Sequence, residues 1–85
     1  MYVILLRDIL YLKYRCWQII GELKDYNQKD YLIKKTLLLR FMMKYKKLLY
    51  ELKVISNDDE SFNIYNILKL EYNKLLDIIL FMEEK

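Results

Sequence analysis

The chain has 85 residues, with fifteen Lys and Arg against twelve Asp and Glu, no His, one Cys, one Gly and no Pro. That length holds one domain, near the lower limit at which a single core sustains itself. Lacking His and carrying one Cys, the sequence has neither the commonest general base nor an ordinary zinc-ligand set. Tight turns and hairpins draw on Gly and Pro, so their scarcity predicts an all-α chain.

The apolar fraction of 55% exceeds the usual range of about 45–50% and points to a dimer or a bound partner. Cys16 cannot form an internal disulfide, which suits a reducing, cytoplasmic setting. The longest unbroken apolar run is MYVILL, far short of the roughly 20 residues that cross a membrane. Arg7 and Asp8 follow at once, so neither a signal peptide nor a membrane role is expected.

In chain order, the first helix is expected over residues 3–26. Tyr2, Leu5, Ile9, Leu12, Cys16, Ile19, Leu23 and Tyr26 recur at alternating threes and fours, with Leu6, Leu10, Trp17 and Ile20 beside them. Gly21, inside this helix, is expected to mark close packing of a neighbouring helix. DYNQKD breaks the pattern, with Asn27 placed as an N-cap.

The second helix is expected over residues 28–54, its seam being Leu38, Phe41, Tyr45, Leu48, Leu52 and Ile55, flanked by Met42 and Leu49. SNDDES is the next break, and Asn57 with Glu60 has the spacing of a capping box. The third helix, residues 58–83, carries Tyr65, Leu68, Tyr72, Leu75, Ile79 and Met82 as its seam. Short connections make neighbours antiparallel, so residues 1–85 are expected to form one antiparallel three-helix bundle, up-down-up, alone or as a dimer of such chains.

Charge is spread unevenly. Residues 1–28 hold four bases and three acids, residues 29–55 eight and two, and residues 56–85 three and seven. The basic second helix is therefore expected to find its complement in the acidic third, within the chain or across a dimer. Arg40, Lys44, Lys47 and Glu51 form one row at steps of four, three and four, turned away from the seam. Tyr11 and Tyr14 lie outside the first seam. The Leu37–Leu38–Leu39 triplet spans about 200° of helix, more than one narrow seam buries. Arg40, Lys44, Lys47, Tyr11 and Tyr14 are accordingly the candidate partner-binding residues.

Neither catalysis nor a cofactor or metal is expected. The two serines, Ser56 and Ser61, share one turn with no base nearby in sequence, and one glycine cannot make a phosphate-cradling loop. IIGELK (Ile19–Lys24) is similar to the end of the first helix of small helical chorismate mutases. That family's Arg-Glu pair falls on Thr36 and Leu37, however, so its essential carboxylate is missing. Nucleic-acid binding is the alternative reading of the basic row, but Phe41 and Tyr45 belong to the expected core and leave few rings for base stacking. A free amphipathic helix for a membrane surface would need companions that do not cover it, and two seams of matching length are present.

DYLIKKTLLLRFMMKYKKLL resembles the middle helix of flagellar export chaperones of the FliT type, with Asp30, Leu32, Arg40 and Met43 in corresponding places. NILKLEYNKLLDIILFMEEK is similar to their closing region. The resemblance implies a small helical bundle that holds a partner protein, in that family the filament cap protein before export. This chain departs from it in being basic and shorter. The expected function is a non-enzymatic protein-interaction module, an adaptor or small export chaperone, with a small viral inhibitor of a host protein as a further option of the same class.

Overall fold

The long apolar seams become three helices in the computed structural model, which describes residues 2–24 and 28–83: α1 (Tyr2–Lys24), α2 (Gln28–Ile55) and α3 (Asp59–Glu83). No strand occurs among the described residues. The expected Asn27 cap and the Tyr26 end of the first seam lie outside them. At 1.5 Å per residue α2 alone is about 42 Å long, which accounts for the 45 × 22 × 16 Å extents of the bundle.

Two pairs fix the antiparallel run of α1 and α2. The Arg15 guanidinium lies 5.7 Å from the Phe41 ring centroid, and Lys34 pairs with Glu22 at 3.8 Å, so α2 numbers fall as α1 numbers rise. The Trp17 indole N–H donates to the Glu71 carboxylate at 2.9 Å, tying α1 to α3. The packing is unequal: α2 lies mostly on α1, less on α3, and α1 meets α3 least. The chain is an all-α three-helix bundle with α2 as its central helix.

The core is apolar throughout, from Ile9, Leu12, Cys16, Ile19, Ile20 and Leu23 of α1 to Tyr65, Leu68, Leu75 and Ile79 of α3. Enclosing each large side chain stabilises the fold by about 1.5–3 kcal/mol. The buried row of α2 is Leu38, Met42, Tyr45, Leu49 and Leu52, while Phe41, Leu48 and Ile55 are half-buried. The seam is thus turned by part of a helix step from the expected one. The cause is that α2 packs between two helices, and α3 draws Met42 and Leu49 inward.

Tyr45 is fully buried and satisfies its hydroxyl by donating to the Leu68 carbonyl at 2.9 Å. Its ring meets Tyr72 edge-on, 5.3 Å between centroids. Burial, then the Glu71 carboxylate and Cys16, push the Tyr45 phenol well above its ordinary range.

Two local expectations are corrected. A Cβ built on Gly21 would meet nothing within 4 Å, so this glycine faces open space and no neighbouring helix requires it. The N-cap of α3 is Asp58, not Asn57: its Oδ1 accepts the Ser61 backbone N–H at 2.7 Å, and its carbonyl takes the Phe62 N–H at 3.0 Å. The helix therefore starts one residue later than the Asn57–Glu60 spacing suggests. The Ser61 backbone N–H, and after it the Ser61 side chain, hold the Asp58 carboxyl below the usual range. At the end of α2, the Ser56 hydroxyl donates back to the Leu52 carbonyl at 2.6 Å.

Candidate functional site

Although α2 packs between α1 and α3, the side turned away from both is left to solvent. Arg40, Lys44 and Lys47 are exposed along it, with Glu51 one turn beyond Lys47. Together with Met43 and Leu48 they line a shallow hollow of about 460 Å³. Leu48 and Glu51 are shared with a second, more apolar hollow of about 510 Å³, where Ile4, Leu5 and Asp8 of α1 meet Tyr50, Val54 and Ile55. The basic row thus runs into an apolar end.

None of Arg40, Lys44, Lys46, Lys47 and Lys53 forms an ion pair among the described residues. The interhelical pair that does form, Lys34–Glu22, joins α2 to α1. The expectation that α3 neutralises α2 within the chain thus gains no support along this row.

The two tyrosines separate. Tyr11 is 58% exposed, and the register set by Arg15–Phe41 and Glu22–Lys34 puts it level with Lys44 and Tyr45 across the α1–α2 groove. Tyr14 is 64% exposed, but three further residues turn it about 60° away from α2. Tyr11 therefore borders the basic face, and Tyr14 sits on the back of α1.

A feature beyond the expected row is an apolar stripe on the same side of α2. Leu32, Leu39, Met43, Tyr50 and Val54 are all exposed, Met43 by 74%. At 100° per residue they fall within an arc of about 60°. Their spacing of seven, four, seven and four is visible in the sequence, but it lies beside the stronger Leu38–Ile55 pattern that takes the core. Lys46 and Lys53 edge the stripe on one side, and Lys47 and Arg40 on the other.

Among the described residues no group of three or more His, Cys, Asp or Glu is placed to hold a metal ion. The single thiol, Cys16, is buried in the core, where desolvation pushes its pKa up to about 11. No helix of the described residues is long and apolar enough to cross a membrane. Set against known protein families, curated proteins and solved structures, the chain matches none.

Proposed function

We propose that this protein is a non-enzymatic interaction module, an adaptor or small chaperone that holds a partner protein through the outer face of its central helix. One observation carries this reading. Among the described residues, sixteen large hydrophobic side chains are exposed, against a buried core of fifteen hydrophobic residues that includes the small Cys16, and five of the sixteen are aligned on α2 between unpaired cations. Scattered exposed leucines need no explanation, but an aligned stripe rimmed by charge has the anatomy of a protein-binding surface.

The resemblance to FliT-type export chaperones agrees with this. Two of its corresponding positions, Leu32 and Met43, lie on the exposed stripe and a third, Arg40, on the basic row. The nucleic-acid reading uses the same cations but has few stacking surfaces. Phe41 is covered by Arg15 and Tyr45 is fully buried, which leaves Tyr50 on α2 and Tyr11 across the groove beside the row.

Affinity capture from a lysate of the source cells, with and without nuclease, tests the proposal. A defined protein retained in both samples, and lost with Met43→Asp, is the expected result. Retention that vanishes with nuclease, or weakens steeply between 50 and 300 mM salt (an order-of-magnitude window for counterion release), would transfer the function to nucleic acid.

A further inference from the structure

We infer that the ligand of this face is an acidic amphipathic helix of another protein, lying along α2 from Leu32 to Val54. The inference rests on the interaction reading above and adds to it the shape and charge of the partner.

The shape follows from the stripe. Leu32 and Tyr50 are eighteen residues apart, which is five whole turns, so the stripe runs straight along the axis for about 33 Å without winding off the face. A second straight helix can follow it over its whole length, which a compact loop cannot do. Leu39, the least exposed of the five at 40%, lies at the α3-side edge, and Met43, an adaptable thioether side chain, stands midway along the stripe. The partner presents apolar residues at helical steps of three and four to this line.

The charge follows from the rims. Lys46 and Lys53 bound the stripe on the α3 side, while Arg40, Lys44 and Lys47 bound it on the α1 side, where Glu51 and, at the Val54 end, Asp8 of α1 are the acids nearby. In a helix pair, residues in these flanking positions face the flanks of the partner and select opposite charge. Basic rims on both sides ask for Glu or Asp on both flanks of the incoming helix.

The same rims exclude a second copy. Two α2 faces brought together, in either direction, set base against base. No other helix of this chain lines acids along such a stripe: α3 is acidic at its two ends, Asp59 and Glu60 in its first turn and Glu83 in its last, while between them Glu71 and Asp77 are balanced by Lys69 and Lys74, and Glu71 is already engaged by Trp17. In α1, Asp8 and Glu22 are outnumbered by Arg7, Lys13, Arg15 and Lys24. The partner is a different, acidic protein.

The test uses the full chain and two synthetic helical peptides with identical apolar positions, one flanked by Glu and one by Lys, followed by fluorescence anisotropy. The Glu peptide is expected to bind, the Lys peptide not to bind, and the Lys44→Glu/Lys47→Glu variant to bind the Glu peptide about tenfold more weakly. Restored affinity of that variant for the Lys peptide would establish that charge sets the choice. Equal binding of both peptides, or of wild type and variant, would overturn the inference, as would a wild-type dimer that Met43→Asp dissolves in sedimentation equilibrium. Circular dichroism of each variant separates lost binding from lost folding, since every altered side chain is exposed. A native partner still captured by Met43→Asp would sink this site and leave the interaction reading standing; capture of no protein at all would remove both.

Discussion

Tyr45 donates a hydrogen bond from its hydroxyl to the Leu68 carbonyl at 2.9 Å across the buried α2–α3 contact, from a ring with no exposed surface. The bond joins the central helix to the helix least supported by the rest of the bundle. Tyr45→Phe keeps the ring and removes the donor, so it is expected to lower unfolding free energy by about 0.5–1.5 kcal/mol. Urea denaturation measures this, with the exposed Tyr50→Phe as a control expected to change stability by less than about 0.5 kcal/mol.

Gly21 stands in α1 with open space where a side chain would be. Ala there reduces the freedom of the unfolded chain and meets no clash, so Gly21→Ala is expected to stabilise by about 0.4–1 kcal/mol. A raised thermal midpoint confirms this. A lowered one would mean that a neighbour does approach Gly21.

Cys16 gives a chemical report on the core. A free thiol titrates near 9.0, and burial raises Cys16 to about 11. In that interval the unfolded chain gives up the proton before the folded one does. The thiol's contribution to stability is therefore complete below about 9 and is lost as pH rises through 11. Burial of Tyr45 acts in the same direction at higher pH. Thiol labelling is expected to be slow in the native protein and to accelerate only with unfolding, and Cys16→Ala to flatten the decline in stability from pH 9 to 11. Rapid labelling of the fully folded protein would contradict the buried placement.

Asp58 has the opposite sign. Its carboxylate is held below the ordinary range by the Ser61 hydrogen bonds, so the charged form is favoured by folding. That stabilisation is present above the unfolded pKa of about 3.9 and is lost as pH falls through the folded value. Asp58→Asn keeps a capping oxygen and is expected to remove this acid sensitivity while retaining the start of α3. Asn57→Ala, one residue earlier, is expected to leave the helix unchanged, which amide exchange near residues 59–62 would show.

Much of this architecture was legible from periodicity, because burial of an apolar seam dominates everything else in a chain with one Gly, no Pro and no strand among its described residues. Ile9, Leu12, Cys16, Ile19 and Leu23 of α1, and Tyr65, Leu68, Leu75 and Ile79 of α3, are buried where the threes and fours placed them. The α2 seam was displaced because a central helix has two neighbours, and a single-seam pattern cannot say how its burial is shared between them. Met42 and Leu49 are buried for that reason, while Phe41 and Leu48 stay half exposed. Gly21 was misplaced because helical periodicity gives a residue's angle on its own helix and not the distance to the next one. The basic row was visible from its spacing alone. The parallel stripe of Leu32, Leu39, Met43, Tyr50 and Val54 became legible only when the core was known, since it is an apolar pattern without a partner in the fold.

The most direct test of the α2 face is a titration of the 15N-labelled protein with the Glu-flanked peptide, followed residue by residue by NMR. Shifts concentrated at Leu32, Leu39, Met43, Lys47, Tyr50 and Val54, with Tyr14, Ile67 and Leu75 unmoved, are the predicted result. Shifts centred on Tyr14 and Ile67, or no localised change at saturating peptide, would contradict it.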